Sequence, residues 1–326
     1  MTNDTEQYTV AALGEILWDL FPAGPRFGGA PANFAVHAAA LGAHAEMVSG
    51  IGDDLLGSKA IERLKRANVN TDFVQVISGQ STGTVEIELD PSGSAIYLFG
   101  DDDPWDHLLW SDRFRERVAR LNAVCFGTLG QRAPVSQNTI QYIVESTSPH
   151  ALRVFDINLR DNFYSEVIID RSLNAANVLK LSEEELPILA EQYKLAGSQD
   201  QQLYAISRMF DLYAVAFTRG HQGAMLVMQN KTIANCNGFP TDVIDTVGAG
   251  DCYTAALTIG LLREWDAELI NQRACRLASF VCSQAGATPK LPNELAQPFV
   301  SDTRARHQSI YSSQRFRTMD QRRPLL

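Results

Sequence analysis

Two short stretches of this chain hold residue types that can do chemistry. The first is Asp245-Thr246-Val247-Gly248-Ala249-Gly250-Asp251, which opens an apolar helical run through Tyr253, Ala256, Leu257 and Leu261. Small residues at a helix start let backbone N–H groups approach an anion closely, and the helix dipole adds positive potential there. Asp251 then has two readings, an N-terminal helix cap or a general base beside a phosphoryl group in transfer. The heptapeptide alone leaves both open. The second stretch is Gly28-Gly29-Ala30-Pro31-Ala32-Asn33, a glycine-rich turn entering a helix. Ordinary βα loops look similar, but Asn is a poor helix former, and its place in an apolar helix points to use of its side chain. Asp19, set between Trp18 and Phe21, is an acid in an apolar neighbourhood. There is no Gly-x-x-x-x-Gly-Lys-Ser/Thr loop and no Gly-x-Gly-x-x-Gly after a strand, so P-loop and dinucleotide-binding readings lose their main support.

The elements that must position these residues alternate along the chain. Tyr8 to Leu13 reads as a buried strand ended by Gly14, and Phe27 to Pro31 as a glycine-rich turn. Ala32 to Leu41 has helical spacing, Ala45 to Ile51 is a second strand, and Leu55 to Ala67 is an amphipathic helix. This βα alternation predicts an α/β fold with a mostly parallel central sheet flanked by helices on both faces. Asp19 and Gly28 to Asn33 would then fall beyond the carboxyl ends of strands, where open α/β sheets bind ligands. Asp72 to Phe99 interrupts the pattern. Thr84 to Leu89 alternates with period two, then come a Pro91-Ser92-Gly93 turn and Ala95 to Phe99, a hairpin expected of a small antiparallel β lid. Strands are next predicted at Ala123 to Phe126, Leu152 to Ile157, Asn177 to Leu181 and Tyr213 to Thr218. A late hairpin follows over Gly223 to Met228 and Lys231 to Asn235, then helices over Ala249 to Leu262 and Ala267 to Ala285.

Composition bounds the function. The 326 residues, 45% hydrophobic, suffice for a large core. A formal net charge of -10 argues against a non-specific nucleic-acid binder, which needs a basic surface. Five cysteines without a Cys-x-x-Cys pair suggest reduced thiols, and the polar start and the lack of a long apolar run suggest a cytoplasmic protein with no membrane partner. The residues divide into 1–300, with lid segments near 14–29 and 82–103, and a polar, arginine-rich tail over 301–326 (Arg304, Arg306, Arg315, Arg317, Arg322, Arg323) that reads as loosely held or as a subunit contact.

Gly28 to Asn33, followed by Leu41-Gly42 and by Gly50-Ile51-Gly52-Asp53-Asp54-Leu55-Leu56-Gly57, resembles the N-terminal signature of the ribokinase-like (PfkB) carbohydrate kinases. Asp245 to Asp251 resembles their C-terminal signature, Asp-Thr-x-Gly-Ala-Gly-Asp. The resemblance covers about residues 8 to 300. It implies that Asp251 deprotonates a sugar hydroxyl, and that the amides of Gly248, Ala249 and Gly250 hold the γ-phosphoryl group of ATP. It also implies that Asp19, Gly28, Gly29 and Asn33 bind the sugar. Asp156-Ile157-Asn158-Leu159-Arg160 looks like the family's Asp-Pro-Asn-x-Arg segment with Ile157 in place of proline, which puts Asn158 and Arg160 near the phosphates. Lys180-Leu181-Ser182-Glu183-Glu184-Glu185 fits the Lys-x-Ser-x-x-Glu variant of the magnesium-placing element, with Lys180 and Ser182 at the nucleotide and Glu185 on Mg2+ through water; Ser182 and Glu185 are also spaced as a capping box. Thr218-Arg219-Gly220 resembles the nucleotide-contacting turn, and Asp245, Val247, Ala285 and Thr288 resemble the family's monovalent-cation (K+) site.

The Gly-Gly-Ala-Pro-Ala-Asn form of the first signature, Gly14-Glu15-Ile16-Leu17 and Gly286-Ala287-Thr288-Pro289 look most like fructokinases. That implies phosphorylation of fructose to fructose 6-phosphate. Alternatives are a 2-keto-3-deoxygluconate kinase, a ribokinase, a nucleoside kinase or a non-catalytic sugar-binding regulator. Trp105, in the acidic stretch Phe99 to Asp106, reads as a ring to stack on the sugar or as a core tryptophan, and the acids around it as repelling an anionic substrate. In this family an exposed lid sheet often pairs with a second copy, which implies a homodimer.

Overall fold

The computed structural model describes residues 7–22, 24–89 and 95–301. Nine strands form the main sheet: β1 (Thr9–Leu13), β4 (His44–Gly52), β5 (Asn70–Ile77), β8 (Ala123–Phe126), β9 (Leu152–Asp156), β10 (Val178–Ser182), β11 (Ala214–Thr218), β12 (Ala224–Met228) and β13 (Ile233–Cys236). The other four, β2 (Leu17–Phe21), β3 (Gly24–Gly28), β6 (Thr84–Leu89) and β7 (Ala95–Phe99), form a smaller sheet.

The main sheet has the order β13-β12-β11-β10-β9-β8-β1-β4-β5. All its pairs are parallel except β11 with β12 and β12 with β13, which make the expected late hairpin. Its central strands alternate between two apolar clusters. Val10, Ala12, Val154 and Ala216 face one layer of helices, which includes Ala30–Ala40, Ala249–Leu262 and Ala267–Cys282. Ala11, Leu13, Val124, Phe155 and Val215 face the other, with Ile140, Leu173 and Leu203. Strands buried on both sides explain why these segments read as continuous apolar runs. The chain passes outward from β1 to β4 and β5, then returns beyond β1 to β8 and continues the other way. The crevice at this reversal, past the carboxyl ends of β1 and β8, is where a ligand fits an open α/β sheet.

Three expectations need correction. Asn70–Ile77 does not interrupt the α/β pattern; it is the edge strand β5, parallel to β4. Its partial exposure reflects its place at the sheet edge, with Val74 against one apolar cluster and Phe73 against the other. Of the turn expected over Phe27 to Pro31, Phe27 and Gly28 end the strand Gly24–Gly28, antiparallel to β2, and the helix already begins at Ala30. The smaller sheet is not wholly antiparallel, because β2 and β6 run parallel while β2–β3 and β6–β7 are antiparallel. A parallel pair needs a long crossover, and here the chain between β3 and β6 supplies it by passing through the main sheet. The Pro91-Ser92-Gly93 turn and residues 302–326 of the tail lie outside the described residues. No described helix is long and apolar enough to cross a membrane.

Candidate active site

A cavity of about 1230 Å³ runs along the carboxyl edge of the main sheet under the smaller sheet. One end is built from the turns after β1 and β3. Gly29 precedes the helix Ala30–Ala40 with a φ of 103°, and a Cβ there would stand 2.5 Å from the Glu15 carbonyl oxygen, so only glycine lets the two turns meet. At Gly28 a Cβ would lie 2.8 Å from Asp19 Oδ2, so the missing side chain leaves room for that carboxylate.

Pro31 stands in the first turn of the helix, where its missing N–H is not needed. Asn33 follows two residues later, and its Nδ2 donates to Asp251 Oδ2 at 2.8 Å. The buried Asn33 Oδ1 has no hydrogen-bond partner. With the amide nitrogen turned to a carboxylate, the oxygen is an acceptor waiting for a donor.

The other half is the helix Ala249–Leu262. Its N-cap, Gly248, has a φ of 79°, and a Cβ there would be 2.3 Å from the Ala287 carbonyl oxygen. His37 braces that same carbonyl, 2.9 Å from its Nε2. Burial pushes the His37 imidazole down to about 4, so it is neutral at pH 7 and Nε2–H is the donor. The Ala249 amide donates to the Thr246 carbonyl at 3.3 Å, whereas the amides of Gly248 and Gly250 make no backbone bond among the described residues. Two of the three amides assigned to the anion hole are therefore free. Asp251 makes no cap bond and faces the cavity instead.

Three carboxyls converge at the sugar end. Desolvation pushes Glu15 up to about 7, against the pull of its hydrogen bond from the Ala30 amide (3.1 Å). Desolvation likewise raises Asp19 to about 6, opposed by the nearby Arg160 guanidinium. Asp251 is raised to about 6, first by desolvation and then by the charge of Asp156. Glu15 is 3% exposed and borders the cavity, yet sequence reasoning gave it no role. The signal was an acid directly after an apolar strand.

A stability test follows from Glu15. The folded chain holds that proton more tightly than the unfolded chain, so unfolding is progressively favoured as pH rises from 4.5 to about 7. The contribution is on the order of 3 kcal/mol at most. Glu15→Gln removes it, so the melting temperature of the variant should match wild type near pH 5 and exceed it at pH 8. Equal differences at both pH values would refute the assignment.

Asn158, Arg160, Lys180, Ser182, Glu185, Thr218, Gly220 and Val247 all border the cavity, as do Asp19, Gly28, Gly29, Asn33 and Gly248 to Asp251. Ile157 in place of proline has a local reason: its N–H donates to the Lys180 carbonyl at 3.1 Å and extends the β9–β10 ladder. Both Glu185 oxygens accept backbone amides, from Leu159 at 2.9 Å and from Ser182 at 2.7 Å. The capping-box spacing was thus real in part, and the carboxylate keeps lone pairs for water.

Four assignments do not hold geometrically. Trp105 is 1% exposed and packs with Leu17 and Val85 behind the smaller sheet; Phe99 borders the cavity instead. Arg219 does not border it, although its neighbours Thr218 and Gly220 do. The acids near Trp105 are spent elsewhere: Asp103 and Asp106 bind Arg132 at 2.8 and 2.6 Å, and Asp102 binds His107 at 2.6 Å. The side-chain oxygens of the cation set are engaged by arginines. Asp245 Oδ2 accepts from Arg26 at 3.2 Å and from the Gly286 amide at 3.0 Å, its Oδ1 accepts from the Val247 amide, and Thr288 Oγ1 accepts from Arg63 at 2.8 Å. With Ala285 exposed at the loop surface, this set does not fit a bound cation.

Residues 24–294 match the family described as pfkB family carbohydrate kinase. A fructokinase of Salmonella typhimurium is 30% identical over 267 residues, spanning 77% of this chain and 84% of that protein. An uncharacterised sugar kinase of Pyrococcus horikoshii, solved in complex with ATP, has a TM-score of 0.73 and 26% identity, over 91% of this chain and 99% of that one. The fructokinase of Vibrio cholerae, solved with fructose, ADP and a calcium ion, shares the fold with a TM-score of 0.72 at 23% identity, over 90% of this chain and 99% of that one.

Proposed function

The chain belongs to the pfkB family of carbohydrate kinases, and from that premise we propose that it transfers the γ-phosphoryl group of ATP to a primary hydroxyl of a neutral ketohexose, best fructose, giving fructose 6-phosphate. The observation that carries this reading is the bond between Asn33 and Asp251. It joins the two glycine-rich helix starts and leaves one unpaired acceptor beside the base.

A sugar anchored by one hydroxyl that donates to Asn33 Oδ1 presents a neighbouring primary hydroxyl to Asp251, which takes the proton of that second hydroxyl. The hydroxyl oxygen forms the new bond to γ-phosphorus. The bond from γ-phosphorus to the bridging oxygen breaks, and its electron pair stays on ADP. The Gly248 and Gly250 amides hold the charge that gathers on the moving group. Asp19 and Glu15 accept further hydroxyls, and an unpaired buried acceptor penalises a substrate that lacks its partner. These carboxyls, rather than the acids near Trp105, favour a neutral sugar over an anionic keto-acid.

Among the described residues no group of three or more His, Cys, Asp or Glu side chains could cage a metal, while Glu184 and Glu185 border the cavity. Such a donor set fits hydrated Mg2+ carried on the phosphates, with Glu185 contacting it through water. When bound, that ion neutralises phosphate charge.

The test is ADP release over a panel of fructose, ribose, adenosine and 2-keto-3-deoxygluconate, with and without Mg2+. Fructose should give the highest kcat/KM. A preference for the keto-acid or for adenosine would overturn the substrate reading, and no release with any of them would favour a binding protein.

Potassium is expected to be dispensable. A monovalent cation at this set would compete with the Arg26 and Arg63 guanidiniums, and at about 4 Å from such a group it is repelled by roughly 1 to 4 kcal/mol across the range from bulk water to a protein surface. Replacing K+ by tetramethylammonium should change kcat/KM by less than about twofold, because that repulsion opposes any weak ion site. Strong K+ activation would show that Arg26 and Arg63 swing away.

A further inference from the structure

One wall of the cavity is a seam between the helix Ala267–Cys282 and the strand β13 with the loop after it. Residues four apart on a helix share one face, and three of them here meet successive points of the strand and loop. Asn271 Nδ2 donates to the carbonyls of Ala224 on β12 and Ala234 on β13, at 2.9 and 2.8 Å. Ser279 Oγ is bonded to Thr241 Oγ1 and reaches the Phe239 carbonyl at 3.3 Å. Cys275 stands between Asn271 and Ser279 on the helix, and Cys236 ends β13 between Ala234 and Thr241. Four residues of helix rise about 6 Å and two of strand about 6.6 Å. The step from Asn271 to Cys275 therefore keeps pace with the step from Ala234 to Cys236. The two thiols are neighbours across the seam, each within the other's hydrogen-bonding reach.

Both thiols can leave their present partners at little cost. Asn271 Oδ1 accepts Cys275 Sγ at 3.7 Å but also the Tyr253 hydroxyl at 2.9 Å, so it keeps a donor if the thiol turns away. Cys236 Sγ donates to the Asn237 carbonyl at 3.3 Å in an exposed position, where water can replace it. The two differ in access. Cys236 is partly exposed and Cys275 is 6% exposed. Burial, and then the Cys236 sulfur beside it, holds the Cys275 thiol well above the usual range. A reagent in solution meets Cys236 first, and Cys275 is the sulfur behind it.

We propose that Cys236 and Cys275 form a disulfide-exchange site for low-molecular-weight disulfides such as oxidised glutathione. The Cys236 thiolate attacks one glutathione sulfur and the S–S bond of the reagent breaks. One glutathione leaves and takes up the proton that Cys236 released. The Cys275 sulfur then attacks the Cys236 sulfur, and the electron pair of the broken mixed disulfide leaves with the second glutathione, which takes the Cys275 proton. Two protein thiols are oxidised while one small disulfide is reduced to two thiols. The new bond staples the helix to the end of β13, where Phe239, Thr241, Ala278 and Ser279 line the cavity on either side of the seam. The site stands whichever reaction the cavity hosts.

The test uses the full chain, reduced, freed of reductant and exposed under native conditions to oxidised glutathione. Remaining thiols are then alkylated in urea and the protein is weighed and digested. Wild type should lose two hydrogens, carry a Cys236–Cys275 cross-linked peptide, and be alkylated at Cys125, Cys252 and Cys282. Dithiothreitol should return every thiol. Cys275→Ala should instead retain one glutathione at Cys236, and Cys236→Ser should form neither the mixed disulfide nor the internal bond. The same reagent added after unfolding in urea should lose this selectivity. A glutathione that stays on Cys236 in wild type, a bond that uses Cys282, or thiols left untouched would each overturn the proposal.

Discussion

Asp251→Asn should lower kcat about 10³-fold, within the range for loss of a general base, while the sugar still binds with near wild-type affinity. The asparagine keeps the size of the side chain and a carbonyl oxygen for Asn33 Nδ2, now at 2.8 Å from Asp251. What is lost is the proton acceptor, needed only as the hydroxyl attacks. The loss therefore falls on kcat rather than on binding. In wild type, the base must be ionised to act. Desolvation and the charge of Asp156 place that ionisation at about 6, so kcat should fall as pH drops below about 6 and level off above it. Glu15, Asp156, Lys180 and Arg160 face this carboxyl, so the limb belongs to the cluster. Steady-state ADP release against pH, with calorimetric sugar binding for the variant, measures both. Turnover within tenfold of wild type in Asp251→Asn would assign the base elsewhere.

Gly248→Ala should impair both folding and catalysis. The residue sits at φ 79°, where an alanine costs about 1–2 kcal/mol. Its Cβ would meet the Ala287 carbonyl oxygen at 2.3 Å, and the His37 bond to that oxygen leaves the loop little freedom to retreat. Any retreat turns the Gly248 amide away from the phosphate, and loss of one such donor lowers kcat about 10²- to 10³-fold. Thermal denaturation and kcat should both fall. Gly250→Ala is the contrast. Its Cβ would meet only the tip of Lys180, so the melting temperature should hold while kcat drops. Equal destabilisation by the two substitutions would contradict this account of the turn.

Local rules were enough for much of this molecule. The βα alternation, the late hairpin and the glycine-rich helix start at Gly248 appear as the residue types require. A phosphate turn is made from consecutive backbone, and a doubly buried strand from a consecutive apolar run, so neighbours in the chain carry the signal. Failures came where the deciding partner was remote. Trp105 and Phe99 are both aromatic and six positions apart; which one borders the cavity depends on how the smaller sheet lies over Leu17 and Val85. Asp245 and Thr288 offer oxygens suited to a cation, and only folding brings Arg26 and Arg63 to them, across 219 and 225 residues.

The phosphate turn with which the sequence reading began shows the same division. Its glycines and its acid could be read from seven residues as an anion-binding helix start with either a cap or a base. What that acid meets was set by the fold: it makes no cap bond, and Asn33, 218 positions away, donates to its carboxylate. A parallel sheet collects the carboxyl ends of strands far apart in the chain into one crevice, so the chemistry of each group is local and its role is set by what it meets there.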